Sequence, residues 1–585
     1  MSVNASNPLN VLRVGVDSFR SLIRDDGELI DPVYKEPAQY GTPYHGFCHA
    51  AIASLSTGPE RLERARLALK VCSAALAHVE DPACSPNLSG ANRATGAGSA
   101  INHRDFFWPA ILKSYILLRD ILGGEEVAGL KARIGRVDVP KPFMARPPSN
   151  WASVWLSGEW IRIREGLSNV NIEQFDEWLG VFFDGHIDIE TGFFHEGGHP
   201  NSYDLFTRFH LQDLLAEGYD GRWRATLEKL LISGLRRSLA VQLSDGSMAS
   251  AYRSTGQTWT LGVQCAYFTE AAEFLAERDP QSAARARNAA GAAFESLARY
   301  QRRDGYFSPV ENLLPPEMRV GYEGYSFDGN YANLALGFFA VALLRGFDTS
   351  SRPYEPVMLA HPEPLTYIEN DPVFRAAAHS GPYSVHFNGF PSPAYDSYGI
   401  IDVTVGLRRR LQFASSARYL SDGQLYNMGV ARRSGPGRGD ISPYDWEPLA
   451  LIGAIEPLPD RAGFSVAARV RGSIVCCRII VEIDHDGIHI SFMSKGDNGY
   501  KTVIVPYLRD CGDGHTTSVE LTQSASEAVA TLSMADEQVR VIVDGPVSGM
   551  LDIPYNFENR RGHCGLLRFD LERPTDKVSY RIAAR

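Results

Sequence analysis

The chain has 585 residues, 44% of them hydrophobic and 22% charged, which excludes a disordered chain, a fibrous repeat and a disulfide-held mini-domain. Its formal net charge is −11, so a general nucleic-acid binder, which carries a basic surface, is excluded too. The length exceeds what one compact core fills, and an anionic ligand would need a positive site built locally.

The N-terminus, MSVNASNPLNVLRVG, lacks the charged start and apolar core of a signal peptide. A cytoplasmic chain, or one whose export signal has been removed, is expected. The longest charge-free apolar stretch, Gly329 to Leu344, is too short to span a bilayer and contains Asn330 and Asn333. No membrane partner is expected. Eight cysteines (Cys48, Cys72, Cys84, Cys265, Cys476, Cys477, Cys511 and Cys564) show no CxxC spacing. They read as reduced, buried small hydrophobes, with no zinc site.

Up to residue 350 apolar residues recur at helical spacing. Twelve helices are predicted, beginning near Asn7, Gly46, Pro59, His103, Glu125, Asn150, Asn171, Ser202, Arg222, Thr258, Pro280 and Asn330. Ser202-Tyr-Asp and Asp279-Pro280 are start signals, and Asp-Gly pairs mark the loops. Twelve helices make six antiparallel pairs. With no tight repeat of fixed period, a closed (α/α)6 toroid is expected over 1–350, with its long loops gathered at the ring mouth. The fold class is α+β multidomain. Four X-Pro pairs near 351–370 mark a linker, and 371–585 alternates as short strands with Asp-Gly turns, an antiparallel β-sandwich.

Chemistry-bearing residues fall between the predicted helices. His45 and His49 stand four apart, but no carboxylate at close spacing completes a metal set. Asn102-His103-Arg104-Asp105 precedes Phe106-Phe107-Trp108, joining His103 and Arg104 to the stacking ring of Trp108. Asn150-Trp151 opens a helix, with Asn150 either its cap or an amide donor. The densest segment, Gly192-Phe-Phe-His-Glu-Gly-Gly-His-Pro-Asn-Ser-Tyr203 and on to Arg208, collects His195, Glu196, His199, Tyr203 and Arg208. So much titratable chemistry in one turn points to a site. Tyr252, Arg253 and Trp259 share another loop, offering a bidentate guanidinium and a stacking ring. Gly321-Tyr-Glu-Gly-Tyr325-Ser-Phe-Asp328 is a Gly-aromatic loop that either lines a cleft or docks the strand region. Walker A, Rossmann, HExxH and GxSxG motifs are absent, and no cofactor or metal is expected.

Asn150-Trp151 followed by the Gly192–Tyr203 segment resembles the uronate-cleaving polysaccharide lyases of the chondroitin AC lyase and heparinase II/III type. The resemblance implies an (α/α) toroid followed by β-sandwich domains, and β-elimination at a uronate in an oligo- or polysaccharide. It also implies roles. Asn150 would neutralise the carboxylate, His199 or His195 would be base or orienter, and Tyr203 would be base and acid. Arg208 and Arg253 would supply the positive field, and a neighbouring Arg would lower the Tyr203 pKa. His103, Arg104, Trp108, Trp151, Tyr252, Trp259, Tyr325 and Asp328 would bind substrate. The alternative is a glycoside hydrolase pairing Glu196 with Asp105, Asp204 or Asp328. A third reading is a carbohydrate-binding protein without catalysis.

Overall fold

The computed structural model describes residues 7–81, 103–196, 202–348, 363–389, 399–405, 412–414, 428–433, 435, 450–451, 453–469, 476–496, 498–535 and 537–585. His199, Cys84 and most of the predicted linker lie outside them.

The twelve predicted helices form within a few residues of their expected starts. They are α1 (Pro8–Asp17), α2 (Gly41–Leu55), α3 (Pro59–Glu80), α4 (Phe107–Leu122), α5 (Ala128–Arg136) and α6 (Asn150–Arg164). The rest are α7 (Ile172–Phe183), α8 (Ser202–Ala216), α9 (Arg224–Val241), α10 (Trp259–Leu275), α11 (Pro280–Ala298) and α12 (Asp328–Leu344). Their starts are chemically ordinary. The side chains of Asn7, Asn171 and Asp279 accept from backbone N–H groups of the first turn, and Pro8, Pro59 and Pro280 begin their helices.

Even-numbered helices make an inner ring. α2 packs on α4, α4 on α6, α6 on α8, α8 on α10, α10 on α12, and α12 closes on α2. Such a helix is covered on all sides, and α12 is buried over nearly its whole length. Odd-numbered helices form the outer layer, with α11 packing on α10 and α3 on α2. Alternation sends all six inner helices in one direction. Their N-termini therefore share one mouth, where Gly41 N–H donates to Asn330 Oδ1 (3.0 Å). No described helix is long and apolar enough to cross a membrane.

From Leu365 the described chain is antiparallel strand. One nine-stranded sheet, one of four strands and one of five share a core that includes Val385, Phe464, Val503 and Val541. This is the expected sandwich. Its strands include Tyr383–Asn388, Gly399–Val405, Ile488–Lys495, Glu537–Asp544 and Lys577–Ala584. In the four-stranded sheet, strands Val547–Asn559 and Gly562–Leu571 form a hairpin with Arg560 and Arg561 at its tip. That tip enters the helical region, where Arg561 pairs with Glu311 (3.4 Å).

Candidate active site

The site is built on the mouth where the inner helices begin. Ser149 caps α6, its Oγ accepting from Trp151 N–H (3.3 Å). Asn150 is thus the first helical residue rather than the cap considered from sequence. Its Oδ1 accepts from Trp151 N–H (2.9 Å), which leaves Nδ2 as the outward donor. That nitrogen is buried, on a residue only 5% exposed, and has no hydrogen-bond partner among the described residues. A buried amide donor without a partner costs about 1–3 kcal/mol, so a ligand acceptor there would recover that loss.

His103 stands edge-on to Trp151, ring centroids 4.4 Å apart. Tyr40 joins the same wall, 5.8 Å from His103 and 4.8 Å from Phe106. Burial lowers the His103 pKa to about 4, so the ring is neutral at pH 7. Its Nδ1 is buried and also lacks a partner among the described residues.

Across the mouth, Tyr203 lies in the first turn of α8. Its hydroxyl meets Ser254 Oγ at 2.7 Å, and Ser254 Oγ meets the Tyr325 hydroxyl at 2.9 Å. The start of α8 and two loops thereby join through hydroxyl groups. The Arg253 guanidinium lies 4.9 Å above the Tyr203 ring and reaches Glu196 Oε1 at 3.3 Å. Ser254 N–H donates to Glu323 Oε1 (2.6 Å). Two carboxylates, Glu196 and Glu323, therefore converge on one turn. That turn is strained. Tyr252 has φ 76° and Ser254 φ 63°, left-handed conformations that non-glycine residues rarely hold without surrounding support.

The electrostatics correct one expectation. Burial pushes the Tyr203 phenol well above its ordinary range, and this outweighs Arg253 and the Ser254 hydrogen bond, which act the other way. The phenol therefore holds its proton at neutral pH. Burial likewise raises Glu196, against the opposing charge of Arg253.

Of the residues singled out from sequence, Tyr203, Arg253 and Glu196 meet directly, Tyr325 joins Tyr203 through Ser254, and Tyr252 lies in the same turn as Arg253. Asn150, Trp151 and His103 line the opposite wall. Trp259 lies behind Tyr203 (5.7 Å), buried. Among the described residues Arg104 donates to the Pro142 carbonyl, at 3.5 Å. His195 is half-buried, edge-on to Phe193 at 4.7 Å.

Others serve the interior. Trp108 is fully buried, donating to Glu159 Oε2 (2.9 Å) below the Arg162 guanidinium, so neither ring face is open to a ligand. Arg208 is fully buried on Asp204, Ser238 and the Gly234 carbonyl, so its charge is spent inside the fold. Asp328 accepts from Tyr306, Tyr322 and Arg319 at the base of α12.

The carboxylates considered as partners for Glu196 are similarly engaged. Asp105 accepts from Met144 and Ala145 N–H, and Asp204 is held ionised by Arg208 and Arg237. Glu323 is the convergent carboxylate that sequence reasoning missed, together with Ser254, Tyr40 and Tyr331, whose ring stands 6.1 Å from that of Tyr40. The run Tyr322-Glu323-Gly-Tyr325 carries a signal, a carboxylate set among tyrosines in a Gly-rich loop.

Among the described residues, one group of three metal-type ligands gathers: Asp484, His485 and Asp486, on a hairpin turn of the sandwich where both His485 and Asp486 are exposed. His45 and His49 turn their Nε2 atoms on each other at 3.2 Å, as a hydrogen-bonded pair.

No family model matches the chain. No curated protein matches it either. Solved structures do. The Streptomyces coelicolor A3 chondroitin AC lyase in complex with chondroitin sulphate superposes with TM-score 0.53 at 12% identity, covering 99% of this chain and 79% of that one. A tyrosine-to-alanine variant of that lyase gives TM-score 0.51 at 13% identity, over the same shares of the two chains. At these identities the likeness is one of fold: toroid followed by sandwich.

Proposed function

We propose that this chain is a carbohydrate-active enzyme, a polysaccharide lyase that cleaves uronate-containing oligo- or polysaccharides by β-elimination. One observation carries the reading. The unpartnered Asn150 amide donor and the Arg253 guanidinium over the Tyr203 ring both stand at the mouth where six helix N-termini converge. Helix N-termini favour anions, so a carboxylate is drawn to this mouth although the chain as a whole is acidic. A solved lyase of the same fold is held in complex with chondroitin sulphate, which fits that reading.

Asn150 Nδ2 and Arg253 bind the uronate carboxylate and stabilise the negative charge that develops on it. By analogy with oxyanion-hole donors, each such group contributes about 10²–10³ in rate. A neutral histidine takes the proton from the carbon next to the carboxylate. We assign this to His103, the described histidine on the Asn150 wall, with His199 or His195 as the alternatives from the family resemblance. The electron pair forms a carbon–carbon double bond as the bond to the leaving oxygen breaks. Tyr203, protonated, supplies that oxygen with its proton through a hydroxyl held by Ser254. No water is consumed.

Hydrolysis is the second reading, and Glu323 is the observation in its favour, because it gives Glu196 a carboxylate neighbour on the same turn. The deciding experiment incubates the chain with a panel of uronate-containing oligosaccharides and follows product mass and ultraviolet absorbance. A new unsaturated uronate with no mass gained supports elimination. One water gained per bond broken replaces it with hydrolysis.

A further inference from the structure

The turn that carries Arg253 and Ser254 is held in part by the sandwich. Three of its residues, Tyr252, Ser254 and Gly256, have left-handed φ values of 76°, 63° and 74°. Such a run relaxes unless its surroundings determine it. On the helical side Ser254 N–H donates to Glu323, and Glu311 N–H donates to the Gly256 carbonyl (3.1 Å). On the other side stands Arg560, at the tip of the sandwich hairpin. Its stem lies flat against Gly256, so that a β-carbon there would overlap Arg560 Cδ, Cγ and Cβ.

Arg560 is itself seated firmly. Its guanidinium pairs with Asp402 (3.3 Å), which also accepts from Arg561 and stands 3.3 Å from His386 Nδ1. Its carbonyl accepts from Asn312 Nδ2 (3.3 Å), and nearby Leu313 N–H donates to the Cys511 carbonyl (2.7 Å). The side chains of Arg560, Asp402, Arg561, His386 and Asn312 are all buried. A second buried link reaches the opposite loop. Asp204 accepts from Phe194 N–H (2.9 Å) beside His195 and Glu196, and Arg237 joins Asp204 to Glu369 of the sandwich.

We propose that Arg560 is a positioning residue of the reaction centre: its stem, clamped by Asp402, wedges the Tyr252–Gly256 turn into the conformation that aims Arg253 and Ser254 at the substrate. The sandwich is then a working part of the active site. This rests on the proposed function for its effect on turnover, and on geometry alone for its effect on the turn.

The test uses the full chain with Arg560→Ala, Arg560→Lys and Asp402→Asn. Two readouts are taken: amide hydrogen exchange, and kcat and KM on the uronate panel. In Arg560→Ala, the Ser254 and Thr255 amides should exchange about 10-fold faster or more while α3 is unchanged. kcat should fall about 10- to 100-fold with KM moving much less, as expected for a misplaced catalytic group. Arg560→Lys keeps an aliphatic stem and should restore most of the protection. Asp402→Asn should shift exchange in the same direction by less. Ser254 exchange unchanged in Arg560→Ala overturns the proposal. If that variant unfolds throughout, unchanged Ser254 exchange in Asp402→Asn overturns it. A wild-type chain that makes no unsaturated product sinks the lyase reading but leaves the exchange result to judge Arg560.

Discussion

Tyr203 enters the site protonated, and this decides how it works. A buried phenol whose pKa lies well above the ordinary range is protonated at neutral pH, so it is not the resting base and keeps a proton that it can pass to the leaving oxygen. The base must then be neutral at working pH, and burial keeps His103 so above about pH 4. kcat/KM should therefore rise through an acid limb near pH 4 and stay flat from about pH 5 to about pH 9. A profile climbing tenfold per pH unit towards 10 would show Tyr203 acting as phenolate and remove this assignment. Substitution gives a second check. Tyr203→Phe should lower kcat about 10²- to 10⁴-fold, while Glu196→Gln lowers it much less. The opposite ranking indicates hydrolysis. Turnover lost in His199→Ala but kept in His103→Ala would move the base to His199.

At the scale of the element, the inner ring depends on close helix approach. Gly262 of α10 faces the backbone carbonyl of Ala335 on α12, and a β-carbon there would overlap it. Alanine in an exposed helix is favoured over glycine by about 1 kcal/mol. Here steric overlap with fixed backbone outweighs that gain. Gly262→Ala should destabilise the chain by about 1–3 kcal/mol, read from the midpoint of denaturant unfolding. A neutral or stabilising result would mean that α10 and α12 separate at little cost. The convergence of helix N-termini depends on the same spacing, so the variant should also weaken uronate binding.

Across the whole molecule, a buried polar chain ties the outer layer to the mouth. Arg64 pairs with Asp17 and Glu60 and donates to His49 Nδ1 (3.2 Å). Arg64 can only donate, so His49 carries its proton on Nε2 and donates to His45 Nε2. His45 Nδ1–H in turn donates to Asn333 Oδ1 (2.8 Å), and Asn333 donates to the Gly329 carbonyl at the start of α12. The Arg64–His49 and His49–His45 links need neutral imidazoles, and burial lowers His45 to about 4 and His49 well below its ordinary value. Depressed folded pKa values mean that the unfolded chain binds more protons below about pH 6.5. Stability is thus fully present above that pH and falls as pH drops towards 4. For His45 alone the loss at pH 5 is roughly 2 kcal/mol. Urea midpoints at pH 7, 6 and 5 test this, and a midpoint that holds or rises on acidification contradicts it.

Much of this architecture is legible one residue at a time, because it rests on interactions a few positions apart. Asp279 before Pro280 is a helix start whatever surrounds it, and its side chain does accept from Ser282 N–H. Alternation over Gly399–Val405 places a strand, and an apolar run such as Gly329–Leu344 declares a helix buried on every side. Tyr203, Arg253 and Glu196 stand out as reactive types in Gly-rich loops. Other features depend on groups far apart in the chain. Glu323 lies 69 residues from Ser254, and Arg560 reaches the Arg253 turn from another sheet, so ring closure and domain docking alone bring them together. Trp108 and Arg208 read as ligand-binding types, but their surroundings turn them inward. The same holds for charge. An adjacent arginine argues for a lowered tyrosine pKa, whereas the depth of burial around Tyr203, a property of the packed fold, reverses the sign.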